Sequence, residues 1–138
     1  MFKRILLAYD GSPPAQKAFE HALDMTQSFA AELLIVSVVR PPDYAEDVET
    51  EAIIEQGQAR LNELIAPLLA AARTKAIRAS TEVRIGHPAE QIIAAADRWN
   101  ADLIVTGHRG QGVFERWLLG SISRLVRAYA RCAVLVVR

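Results

Sequence analysis

The sequence predicts an α/β fold: an open, five-stranded parallel sheet with helices on both faces. Three observations lead there. Short apolar runs of strand length alternate with segments of helical periodicity in the order β-α-β-α-β-α-β-α-β. Most of these runs are apolar throughout rather than alternating, the pattern of strands covered on both sides. The chain has 138 residues, 51% of them apolar, enough for one sizeable core. Residues 1–138 therefore read as a single domain.

The first strand is "RILLAYD", a nearly unbroken apolar run ending at Asp10. The helix after it lies within "GSPPAQKAFEHALDMTQSFA", with Ser12 as N-cap, Pro13 at the first helical position, and Ala18, Ala22, Met25 and Phe29 on one face. "ELLIVSVV" is a second buried strand, and "RPPDYAEDVETE" reads as a surface connection. Helical periodicity then runs from about Asp47 to Ile77, with Ile54, Leu61, Leu64, Ile65, Leu68, Leu69 and Ala72 on one face. Pro67 inside it predicts a bend near Asn62 to Glu63, or two helices in place of one. "STEVRIG" alternates like a strand with one partly exposed face. A helix from Pro88 to Trp99, the strand "ADLIVTG", a helix from about Ser121 to Ala130 and the strand "AVLVVR" complete the order.

Composition narrows the function. Sixteen basic and sixteen acidic side chains balance, which argues against a polyanion binder and so against a nucleic-acid partner. The single cysteine, Cys132, forms no intramolecular disulfide and suits a reducing compartment. The apolar run Ile5 to Tyr9 is too short for a signal peptide and is interrupted by Asp10. No window approaches a membrane span. The expectation is a cytoplasmic protein without membrane insertion.

In an open parallel sheet, ligands bind beyond the carboxyl ends of the strands, where the strand order reverses. The first and fourth strands both end in turn glycines and polar groups, in "AYDGS" and "TGHRGQGVFERWLLGSIS". The second and third are followed by proline-led or acidic segments. The expected order is 3-2-1-4-5, with the cleft between Asp10 and Gly107. Asp-Gly-Ser is also ordinary turn chemistry. The second stretch says more, with four glycines and three serine or threonine residues around an apolar insert. It is not a Walker loop, since no Gly-Lys-Ser/Thr closes it, and "GHRGQG" reverses the dinucleotide spacing. Yet glycines admit close approach of an anion to backbone N–H groups. Ser121 then opens a helix whose first amides and dipole favour phosphate. Between the glycines, "VFERWLL" reads as a short helical turn packing Phe114, Trp117 and Leu118 under the loop.

These segments resemble the universal stress proteins, of the single-domain, ATP-binding type, over essentially the whole chain. "ILLAYDGSPPAQKAFEHAL", "LLIVSVV" and "IGHPAEQIIAAADRWNADLIVTGHRG" are similar to the family's first strand, turn and helix, its second strand, and its Gly-x-Pro helix and fourth strand. The most specific element is G-x-x-G, nine residues, then G-S, matched without a gap by Gly107, Gly110, Gly120 and Ser121. The resemblance implies a Rossmann-like domain with Asp10 and the backbone of Ala8 and Val38 around adenine and ribose. It places the triphosphate on the loop from Gly107 through Arg109 to Gly110 and on the turn of Gly120, Ser121, Ile122 and Ser123. It implies Mg2+ held by the phosphates with help from Asp10. It also implies a homodimer through the C-terminal strand, and a stress-response role that reports nucleotide state to an unidentified regulatory protein. Two positions depart from the pattern. Ser37 stands where the family often has histidine, and Pro67 is unusual in the second helix.

The other polar residues have plainer readings. His87 is a helix cap or a solvated residue, His21 is exposed, Cys132 belongs to the core, and Trp99 and Trp117 pack. Arg109, Arg116 and Arg124 are candidates to reach a phosphate oxygen. No His and Cys spacing suggests zinc. Two alternatives stand beside the nucleotide-binding regulator. One is an enzyme of related architecture, a slow ATPase working through Asp10 and a metal-bound water, or a nucleotidyl transferase. It lacks a histidine pair, a Lys-Ser phosphate loop and a general base beside a nucleophile. The other is a nucleotide-free dimeric interaction module, against which the intact glycine pattern counts.

Overall fold

The structure is a computed structural model that describes residues 1–42, 48–108 and 121–138. The elements are β1 (Arg4–Ala8), α1 (Pro13–Phe29), β2 (Glu32–Val39), α2 (Val48–Thr74), β3 (Arg78–Ile85), α3 (Pro88–Trp99), β4 (Leu103–Gly107), α4 (Ser121–Tyr129) and β5 (Ala133–Val137). All pairings are parallel, in the order β3-β2-β1-β4-β5. This is the architecture and the order expected from the strand ends.

The unbroken apolar runs are explained by burial on both sides of the sheet. Successive side chains of a strand point to opposite faces. Ile5, Leu7, Leu33 and Ile35 pack with Ala18 and Ala22 of α1 and Ile65 and Leu68 of α2. Leu6, Ala8, Leu34 and Val36 pack on the other face with Ile92 and Ala95 of α3 and Ile122 and Val126 of α4. Helix α1 begins at its predicted cap, where Ser12 Oγ accepts a hydrogen bond from the Ala15 amide, and ends at Ala30 in the left-handed conformation.

Three boundaries differ from expectation, the first being the end of α2 at Thr74, three residues short of Ile77, with Ala76 at φ 59 in the turn that follows. Helix α2 is one element from Val48 to Thr74 with Pro67 inside it, not two helices. Pro67 and Glu63 are both exposed, so the Glu63 carbonyl that loses its amide donor can be solvated. Strand β3 begins at Arg78, two residues before the alternating run. It is an edge strand, and Arg78 fits there because it lies on the solvated rim, 3.5 Å from Glu32. The short turn expected around Phe114, Trp117 and Leu118 lies outside the described residues.

Candidate functional site

Strands β1 and β4 are neighbours, with β2 beyond β1 and β5 beyond β4. The chain leaves both at the same carboxyl rim, so the switch point lies between Asp10 and Gly107. Ala8, the last residue of β1, and Val38, the last but one of β2, are both buried.

Asp10 is only 2% exposed. Its Oδ1 accepts two hydrogen bonds from Ser12, from the amide at 3.0 Å and the hydroxyl at 2.5 Å. The same Ser12 oxygen accepts from the Ala15 amide at 3.2 Å. One serine thus fixes the carboxylate and caps α1, and Gly11 between them takes φ +83, a conformation that glycine adopts freely. Ser12 was legible only as a cap. The Asp-x-Ser spacing was the available signal for its second role.

Burial pushes the Asp10 carboxyl above the usual carboxylate range, and the Ser12 hydroxyl and amide bonds pull it back less strongly. Burial also raises the neighbouring Tyr9 phenol, with the Asp10 charge adding to it. A raised carboxyl binds its proton more tightly in the folded chain than in the unfolded one. Asp10 therefore favours folding fully below the unfolded value of 3.8, and that contribution is lost as pH rises through the raised folded value. Asp10→Asn keeps an Oδ1 acceptor for Ser12 and carries no charge. The variant is expected to be more stable than the parent near neutral pH, with the gap closing toward 3.8. Urea midpoints measured across that range check this, and a variant that is less stable at neutral pH contradicts it.

Ser37, at the departing position, is fully buried, and its hydroxyl donates to the Tyr9 carbonyl at 2.7 Å. It ties β2 to the turn that carries Asp10. The Tyr9 hydroxyl donates to Gln16 Oε1 at 3.2 Å on α1. Neither of these tethers was visible in sequence.

On the β4 side, the His108 amide donates to the Val137 carbonyl at 2.7 Å, and the Ser123 hydroxyl donates to the His108 carbonyl at 3.3 Å. Ile122 and Ser123 are buried. The first turn of α4 is thereby held against the exit of β4, and the leading amides of a helix have no acceptor within it. These donors and the helix dipole suit a phosphate. Gly107 has a packing reason of its own, since a Cβ there would lie 2.8 Å from the Pro14 carbonyl carbon.

The structure thus gathers Ala8, Asp10, Val38, Gly107, Ile122 and Ser123 at one rim. Ser121 is the first residue of α4. Arg109, Gly110, Gly120 and the Ser121 side chain lie outside the described residues, as does Arg116. Arg124 is exposed on α4, and His21 is exposed on α1. His87 is the N-cap of α3 but makes no capping bond through its side chain. Cys132 is half-buried just before β5, with its thiol raised by burial first and then by Asp102 and Asp97. Among the described residues, no group of three or more His, Cys, Asp or Glu side chains is placed to hold a metal ion. No helix among them is long and apolar enough to cross a membrane.

Comparison with known proteins gives a consistent picture. The model of the universal stress protein family matches residues 1–138. A universal stress protein of Thermus aquaticus is 42% identical over 139 aligned positions, covering 100% of both chains. The solved structure of the universal stress protein UspA from Lactobacillus plantarum superposes with a TM-score of 0.87 at 28% identity, covering 99% of this chain and 98% of that one. Three more distant structures share the fold and contain adenine nucleotides. A universal stress protein in complex with cAMP has TM-score 0.75 and 21% identity, covering 99% of this chain and 97% of its own. The Archaeoglobus fulgidus protein in complex with dAMP has TM-score 0.71 and 21% identity, covering 99% and 98%. An Arabidopsis thaliana family protein with AMP bound has TM-score 0.69 and 18% identity, covering 98% and 90%.

Proposed function

The chain belongs to the universal stress protein family, and on that premise we propose that it binds ATP with Mg2+ at the rim between Asp10 and Gly107. In this reading it passes its nucleotide state to a regulatory partner protein during stress. The observation that carries it is the buried, hydrogen-bonded Asp10 at the end of β1, beside a strand whose exit is tied to the N-terminus of α4. Support comes from the relatives that hold cAMP, dAMP and AMP, which share adenine, a sugar and one phosphate. Asp10 and the backbone of Ala8 and Val38 would take adenine and ribose. Gly107, Arg109, Gly110, Gly120, Ser121, Ile122 and Ser123 would take the phosphates, and the intact glycine spacing is the reason to extend one phosphate to three. Mg2+ commonly binds through one or two carboxylates, phosphate oxygens and waters. Asp10 fits as the single protein ligand, and the ion would neutralise phosphate charge. A half-buried thiol raised by burial suits an unreactive cysteine in the reducing cytoplasm, where we place the protein.

Native mass spectrometry of the protein as purified tests the reading, with a retained adenine nucleotide expected. A nucleotide-free chain that also gives no heat on titration with ATP, ADP or AMP overturns it.

We further propose that β5 pairs with its copy across a twofold axis. The sheet has two edges, and they differ in kind. Edge β3 carries Arg78, Glu82 and Arg84, with Glu82 also paired to Arg98 at 2.8 Å. Edge β5 reads AVLVV and carries no charge, and an apolar edge left open is an aggregation hazard. A dimer is expected by light scattering at micromolar concentration, and Val136→Lys should dissociate or precipitate it. A monomeric parent protein contradicts this.

A further inference from the structure

Helices α3 and α4 leave between them a groove of about 540 Å³ on the face away from α1 and α2. Its walls are the apolar side chains of Ile93, Ala94 and Leu125, with Tyr129 beside them at 69% exposure. Its acidic groups are Glu90 and Asp97, both exposed. They stand seven residues apart on α3, two helical turns or about 10 Å. Neither has an ion-pair partner among the described residues. The nearby cations are otherwise engaged or turned away. Arg84 and Arg98 both bind Glu82, and the exposed Arg124 and Arg127 do not line the groove. His87, the N-cap of α3, also lines it, and its Nδ1 is buried without a hydrogen-bond partner among the described residues.

We infer that this groove docks a basic amphipathic helix of a partner protein. An apolar trough between two helices accepts the apolar face of a third. Unpaired carboxylates two turns apart on the wall select lysine or arginine residues spaced seven apart along that helix. This names the surface and partner chemistry for the regulator of the proposed function, and it rests on that reading only for the existence of a protein partner. The carboxylates and Tyr129 lie outside the residues assigned to the nucleotide, so the two readings fail separately.

The probe is a fluorescein-labelled, 18-residue amphipathic peptide of leucine and lysine, with lysines seven residues apart, compared with its glutamate counterpart by fluorescence anisotropy. The lysine peptide should bind the full chain about tenfold or more tightly than the glutamate peptide. The double variant Glu90→Lys/Asp97→Lys should reverse that preference, and Tyr129→Ala should weaken both peptides severalfold without reversing it. Calorimetric nucleotide binding should be unchanged in all variants. Equal binding of the two peptides, or a preference that survives charge reversal, overturns the inference. So does light scattering that shows the double variant splitting a dimer, which would put a second copy in the groove. Displacement of the peptide by an equal concentration of dodecylammonium would make it a site for small amphiphiles and would also overturn it.

Discussion

A valine in place of Gly120 is expected to remove measurable adenine-nucleotide binding while leaving a cooperative unfolding transition. Gly120 directly precedes Ser121, the first residue of α4, and in the proposed function it is one of the glycines that take the phosphates. On that proposal a side chain at this position takes up phosphate volume or forbids the left-handed backbone that only glycine adopts freely. Each charge-assisted contact to an N–H is worth about 1.5–3 kcal/mol. Losing two of them weakens binding by roughly 10²–10⁴-fold. The fold should survive, because the core lies between the sheet and its helices and not at the rim. Gly110 should be equally intolerant. Ser121→Ala should weaken binding less, since only a hydroxyl is lost and the backbone donor remains. Calorimetric titration with ATP, ADP and AMP checks the set. A folded Gly120→Val protein that binds ATP as the parent does would reduce the glycine stretch to a connecting loop.

What the sequence revealed and what it hid follow from the range of the interactions concerned. Strand order was legible because the evidence for it is local. The ends of β1 and β4 carry glycine and polar groups within a few residues, and an apolar run such as Leu33–Val36 reports burial on both faces by itself. The tethers of the site were not legible, because each joins residues remote in sequence. Ser37 reaches Tyr9 across 28 residues, and Ser123 reaches His108 across 15. A buried serine in a strand gives no sign of which carbonyl it will meet. Pro67 left one helix or two open for a related reason. Proline in a helical pattern signals a lost hydrogen bond, but whether the helix breaks depends on which face the freed carbonyl occupies. At Glu63 that face is solvent. His87 shows the same gap, since its position before Pro88 announces a cap but not an imidazole nitrogen buried without a partner among the described residues.

Gly107 should respond differently from Gly120, with a loss of stability as well as of binding. A Cβ at Gly107 would stand 2.8 Å from the Pro14 carbonyl carbon, 2.9 Å from the Ala15 nitrogen and 2.9 Å from the Pro14 Cβ. Two of these atoms are backbone in the first turn of α1 and the third belongs to a proline ring, so none can rotate aside. Overpacking of this kind costs about 1–3 kcal/mol, against a total stability on the order of 5–15 kcal/mol. Gly107→Ala should lower the melting temperature by about 4–12 °C. Gly107→Val adds two methyl groups at the same place and should lower the melting temperature further. Relief of the clash must displace the start of α1, and with it Ser12 and the carboxylate that Ser12 holds. Nucleotide binding by Gly107→Ala should therefore fall together with stability, whereas in Gly120→Val it should fall alone. Urea unfolding of the two variants beside calorimetry separates the cases. A Gly107→Ala protein with the parent's unfolding midpoint would mean that β4 and α1 do not approach so closely.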